Sequence, residues 1–169
     1  IIGIFDPGIF SIGDTITTSP KKFAYEGIPT FAPEHFARVR QVNTMKRKQF
    51  IKGINEIAQE GAIQIFQEYK GGMEEIIVGV VGVLQFDVLR FRLENEYNAK
   101  CRWEPVSLYK ACWIESDDET QLEAFKKRKY QFMAKDREGR DVFLADSNYV
   151  LQMAQNDFEH IKFHFTSEF

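Results

Sequence analysis

An α+β fold built on a split βαβ unit follows from three observations on this sequence. Between residues 35 and 105 the apolar pattern switches between the two-residue period of strands and the 3.6-residue period of helices, in the order strand, helix, strand, strand, helix, strand. The two middle strands, AIQIFQEY and EIIVGVVG, are separated only by KGGME, a glycine-containing hairpin turn. The composition, 44% hydrophobic with sixteen Phe and 28% charged residues, suits a packed α+β globule and excludes disorder. That element order is the ferredoxin-like βαββαβ, and the residues beyond it are expected to form a C-terminal α/β extension.

Each element has a local reason. Residues 1–18 read as a strand, a turn at Asp6 to Gly8 and a second strand, a hairpin that would be marginal alone. SPKKFAYEGIPTFAPE, with three prolines, reads as linker. HFARVRQV is a strand, and NTMKRKQFIKGINEIAQEG is a helix capped by Asn43 or Thr44 and stopped by Gly61. Phe50, Ile51, Ile54, Ile57 and Ala58 share one face of that helix, which must be buried. VLQFDVLRFRLENEYN is the second helix, and AKCRWEP a short strand ended by Pro105. The second helix has two apolar stripes, Phe86, Leu89, Leu93 and Tyr97 on one side and Leu84, Val88 and Phe91 on another, so two neighbours are expected: its own sheet and residues 106–169. That tail supplies a strand (VSLYKACWIES), a helix begun by Ser116 to Glu119 in capping-box spacing, a hairpin around DREGRD, a helix with Val150, Leu151, Met153 and Ala154 on one face, and a final strand, HIKFHF. Residues 35–169 are expected to fold as one cooperative unit.

The chemistry-bearing motifs are missing. The chain contains no GxxxxGK[ST] phosphate loop, no GxGxxG after a strand and no GxSxG elbow, so nucleotide binding by a familiar loop is excluded. Cys101 and Cys112 read as free buried thiols, and His35, His160 and His164 form no metal-ligand spacing. The acidic pairs Asp117 with Asp118 and Glu74 with Glu75 read as solvated caps or turns. No catalytic, cofactor or metal residue is assigned. The longest apolar run, IIVGVVGVL, is far short of a membrane span and no signal-peptide pattern is present, which points to a cytoplasmic protein.

A net charge of −3 excludes a generally basic nucleic-acid binder, so any RNA contact must be local. KKRK at 126–129 closes a helix that opens with DDE, an arrangement the helix dipole favours without further purpose. Lys46, Arg47 and Lys48 are different, because they sit in a first turn where positive charge is disfavoured. Lys48 and Lys52 fall opposite Phe50 and Ile54, and Arg38 and Arg40 come just before the helix. No acidic residue interrupts 35–55. Arg38, Arg40, Lys46, Arg47, Lys48 and Lys52 are therefore read as one basic surface suited to phosphate or an acidic partner. Gln85 and Asp87, at the start of the second helix, are candidates for facing a neighbouring domain.

FAPEHFARVR, then KRKQFIKGINEIAQEGAIQIF, then IVGVVGVLQFDVLRFRLENEYN, together resemble the C-terminal domain of the bacterial peptide chain release factor 3 family, class II release factors that are translational GTPases. The likeness runs from about Phe23 to Phe169. GIFSIGDTI is similar to the last strands of that family's β-barrel second domain, so residues 1–22 are expected to be a barrel remnant and linker, and 23–169 the C-terminal domain. Elongation-factor relatives usually carry a Gly-Glu-Leu-His-type segment where this sequence has Gly82, Val83, Leu84, Gln85 and Phe86, which favours the release-factor branch. The resemblance implies a full-length protein that binds GTP with Mg, promotes departure of the class-one release factor from the ribosome after peptide release, and leaves on GTP hydrolysis. It implies for this portion no catalysis, no membrane and no DNA, only docking: on the small ribosomal subunit, its RNA and protein, and on its own GTPase and barrel domains. Two alternatives stay open, a fragment of a translocation-type elongation factor and a stand-alone ferredoxin-like module that binds a small ligand.

Overall fold

The computed structural model describes residues 3–5, 9–10, 13–25, 30–71 and 75–167. Among them eight strands form one antiparallel sheet, carrying four α-helices in the order β1 (His35–Gln41), α1 (Arg47–Gln59), β2 (Gln64–Glu68), β3 (Glu75–Val80), α2 (Leu84–Asn95), β4 (Cys101–Val106), β5 (Lys110–Glu115), α3 (Glu119–Arg128), β6 (Met133–Asp136), β7 (Asp141–Ala145), α4 (Asn148–Asp157) and β8 (Lys162–His164). The sheet order is β4-β1-β3-β2-β6-β7-β5-β8. The first four strands have the expected ferredoxin-like order. The extension turns out to be the same unit again: β5, α3, β6, β7, α4 and β8 repeat the βαββαβ succession, and their strand order mirrors the first. The two units join where β2 pairs with β6, Phe66 opposite Asp136 and Glu68 opposite Ala134.

Residues directly opposite in an antiparallel ladder share a face. The registers therefore place Val39, Ile65, Ile76 and Val78 on the same face as Met133, Phe143, Cys112 and Ile114. Both helix pairs cover that face, α1 and α2 closing one core cluster and α3 and α4 another. Phe36, Phe66, Ile77, Trp113, Val142 and Leu144 lie on the opposite face and are also buried, with no helix among them. Strands stand about 4.8 Å apart, so in a flat sheet β2 and β5, with two strands between them, would be about 14 Å apart. Yet the rings of Phe66 and Trp113 are centred 5.9 Å apart, and Trp113 Nε1 donates to Asp136 Oδ2 at 2.9 Å. The sheet is bent across the β2–β6 seam, and its helix-free face closes on itself as a third core cluster.

The seam carries a polar pin as well. Asp141 accepts from Lys126 of α3 at 2.8 Å, from Lys135 of β6 at 2.6 Å and from the hydroxyl of Tyr69, just past β2. Burial alone would raise its carboxyl, but hydrogen bonds from Lys126, Lys135 and Tyr69 outweigh that and hold it below the usual carboxylate range. Asp141→Asn is expected to cost about 1–3 kcal/mol at neutral pH. Because the folded carboxyl is depressed, the wild-type advantage is present above the unfolded pKa and fades as pH falls below about 4. Paired urea titrations at neutral and acidic pH would measure it, and a difference independent of pH would contradict it.

Local expectations meet the structure in detail. Gly61, at φ +80°, ends α1 one residue past its C-cap Glu60. Gly139, at φ +81°, makes the turn between β6 and β7. Asn43 caps a short 3-10 turn (Thr44–Lys46) that leads into α1. The cap of α3 is Asp118, which accepts from Thr120 and Gln121, whereas Ser116 accepts from Asp118 and donates to the His160 carbonyl. β4 runs through Pro105 to Val106, because β4 is an edge strand and the missing proline N–H leaves no ladder bond unmade inside the sheet. Of the strand pair expected over 1–18, the turn at Asp6 to Gly8 lies outside the described residues. Residues 3–5, 9–10 and 13–18 are described without strand pairing, so the expected strand pair is not formed among them. Residues 106–169 do not cover the second stripe of α2: Leu84, Val88 and Phe91 are 76, 60 and 65% exposed. α2 lies at the β4 side, where Phe86 and Arg90 meet Trp103, and α1 stands between it and the second unit.

Candidate functional site

Period-two alternation along β1 decides which cations can act together. Arg38 and Arg40 share parity with Phe36, so they project from the helix-free face. There Arg38 pairs with Glu68 at 2.8 Å and Glu75 at 3.5 Å, and Arg40 with Glu75 at 3.0 Å. The single basic surface expected from sequence is therefore split. Two of its six residues are neutralised on the face opposite α1, because the carboxylates that meet them come from β2 and β3.

The other four stay on the helix side. α1 packs Phe50, Ile54 and Ile57 inward, and Gly53 sits under the Tyr97 ring, where an added Cβ would lie 2.6 Å from a ring carbon, so α1 and α2 approach closely. Arg92 of α2 clamps Glu60 with two bonds of 2.6 and 2.9 Å, which holds the Glu60 carboxyl below its usual range. The flank of α1 turned toward the second unit carries Arg47, Ile51 and Asn55 in one row and Lys48 and Lys52 in the next. With Ile65, Gln67 and Ile76 from the sheet they line a groove of about 710 Å³ that crosses the seam. Its far wall is Lys135 of β6 and Arg137, the latter within the turn expected around DREGRD.

Five cations line the groove, and two of them, Arg47 and Lys48, have no ion pair among the described residues. Among the described residues Lys46, Arg47 and Lys48 make no ion pair, and Lys52 has only Glu56 at 3.8 Å. Lys135 is held by Asp141, and Arg137 by its neighbour Glu138. Asp136 also lines the groove, but its carboxylate is committed on the other face to Trp113 and Arg140. Lys46 is the N-cap residue of α1. A basic first turn opposes the helix dipole at a cost of about 0.3–1 kcal/mol per charge. The KKRK run is used internally: Lys126 joins the Asp141 pin, while Arg128 and Lys129 reach Asp157 at 3.4 and 3.9 Å.

Gln85 is a brace. Its Oε1 accepts from the backbone of Val81 and Gly82 and its Nε2 donates to the Ala62 carbonyl, so both ends of the amide are spent within the chain. Asp87 remains outward, 3.9 Å from Arg90, beside the exposed Leu84, Val88 and Phe91. Cys101 and Cys112 are free, and burial pushes both thiols up to about 12, which keeps them protonated and unreactive. The sequence has no phosphate loop, and among the described residues no three His, Cys, Asp or Glu side chains gather as a metal site. No helix among them is long and apolar enough to cross a membrane.

Residues 25–155 match the family model described as class II release factor RF3, C-terminal domain. The chain is 40% identical over 162 residues to the peptide chain release factor 3 of Streptococcus sanguinis, covering 96% of this chain and 30% of that protein. It is 41% identical over 152 residues to the one of Streptococcus pyogenes, covering 90% of this chain and 29% of that protein. It thus spans less than a third of the length of these curated relatives. Of the three readings the sequence left open, this match selects the release-factor one, and the chain belongs to the family of class II release factor RF3 C-terminal domains.

Proposed function

We propose that this chain is the docking portion of a cytoplasmic translation-termination GTPase that promotes departure of the class-one release factor from the ribosome after peptide release. Residues 23–169 are the C-terminal domain, 1–22 belong to the barrel and linker before it, and GTP with Mg is held by the rest of the full-length protein. The groove beside α1 contacts the small ribosomal subunit. One observation carries this: Arg47 and Lys48 stand against the helix dipole with no ion pair among the described residues, facing the same groove as Lys52, Lys135 and Arg137. Phosphate supplies the charge that the domain does not.

In the full-length protein, Lys48→Glu with Lys52→Glu is expected to weaken ribosome co-sedimentation by about 10–100-fold. The dependence of log affinity on log salt should become shallower by about 0.7–0.9 for each phosphate contact removed. Unchanged affinity and slope would overturn the assignment.

In this reading the exposed stripe of α2 with Asp87 faces the GTPase and barrel domains. Val88→Asp should leave the stability of the 169-residue chain within about 0.5 kcal/mol, since the side chain already meets water. In the full-length protein it should speed amide hydrogen exchange along α2. Equal exchange in both full-length forms would remove α2 from the interdomain contact.

A further inference from the structure

The groove beside α1 has more in it than phosphate recognition uses. Its rim is cationic, but its floor is apolar, formed by Ile51 from α1, Ile65 from β2 and Ile76 from β3, and its volume of about 710 Å³ exceeds what a phosphate needs. Two amides stand at the floor. Asn55 donates its Nδ2 to the Ile51 carbonyl at 2.7 Å, which leaves Oδ1 to accept, and Gln67 is exposed and makes no side-chain hydrogen bond among the described residues.

Resting on the ribosomal reading above, we infer that this groove takes an unpaired nucleotide of single-stranded RNA, its base on the isoleucines, its edge toward Asn55 and Gln67, and its flanking phosphates on Arg47, Lys48 and Lys52. Duplex RNA would leave the floor idle, because its bases are stacked inside and only its backbone reaches a protein surface. An unstacked base has an apolar face to lay down and donors and acceptors at its rim, and the groove offers a partner to each. A peptide of carboxylates alone would satisfy the cations but has no flat apolar surface for the floor.

The test is fluorescence anisotropy of the chain with three labelled probes at about 50 mM salt: an unpaired RNA of roughly twelve nucleotides, a hairpin of the same nucleotide count, and an oligoglutamate peptide. The unpaired RNA should bind at least about tenfold more tightly than the hairpin. Ile51→Ser, at a half-exposed position, should weaken only the unpaired probe, by about 5–10-fold, and Gln67→Ala, at an exposed one, should weaken it in the same direction. Equal binding of the two RNAs, binding of neither, or tighter binding of the peptide would overturn the assignment. If the lysine reversals release the full-length protein from ribosomes while the chain ignores unpaired RNA, ribosomal docking stands and the nucleotide site falls. If the chain binds unpaired RNA and the reversals leave ribosome binding intact, the reverse holds.

Discussion

Trp113→Ala should destabilise the domain by about 3–5 kcal/mol, the range for emptying a large aromatic side chain from a packed core. Trp113 is 1% exposed and belongs to the core cluster that no helix covers, so only strands and short connections can collapse into the space it leaves. It also donates to Asp136, which receives Arg140 as well. Trp113→Phe separates the two effects: it keeps most of the apolar volume, loses the indole donor, and should cost about 1–3 kcal/mol. Chemical denaturation of both variants measures the difference. Equal losses would mean that the hydrogen bond, not the volume, holds the bend in the sheet.

Phe125→Ala probes the core cluster beneath α3 and α4. Its ring is wholly buried in α3, with centroids at 5.5 Å from Phe143, 5.0 Å from Phe158 and 5.7 Å from Phe163, all in edge-on geometry. Truncation is expected to cost about 3–5 kcal/mol, and at roughly 2–4 °C per kcal/mol for a chain of this size the melting temperature should drop well over 5 °C. The informative quantity is how many transitions remain. Phe125 and Trp113 belong to the second unit and Trp103 to β4 in the first, so the test is run on Trp113→Phe protein, in which fluorescence reports the first unit alone. If the seam and the helix-free core make 35–169 one cooperative unit, tryptophan fluorescence and far-ultraviolet dichroism will shift together. Separated transitions would show two units that unfold in turn.

The first βαββαβ was legible because its periodicities switch cleanly and its hairpin is short. The second was legible only as a string of elements. Its helix ETQLEAFKKR does not resemble RKQFIKGINEIAQ, so the repeat exists in strand pairing and not in residue identity. The division of the basic surface could have been read from HFARVRQ, since alternation puts Arg38 and Arg40 with Phe36 and against Val39. The far wall of the groove could not. Lys135 and Arg137 reach it only because β6 pairs with β2, a long-range registration for which DREGRD carries no local signal. The bracing role of Gln85 was out of reach for a similar reason, as the backbone groups it binds become available only once the turn before α2 and the end of α1 have met. The stripe of Leu84, Val88 and Phe91 was expected to meet residues 106–169 and is exposed instead, because periodicity shows that a face is apolar and not what lies against it.

The mirrored strand order has one more consequence, for solubility. Fusing two four-stranded sheets edge to edge consumes β2 and β6 and leaves β4 and β8 as the only ends among the described strands from which a ladder could grow. Both are poor templates: β4 carries Pro105, which cannot donate, and β8 is three residues long. Stacking of further chains onto the sheet, the route to fibrillar aggregates, is discouraged at both ends. Self-association through the bare stripe of α2 is not restrained in this way, and Val88→Asp should weaken it.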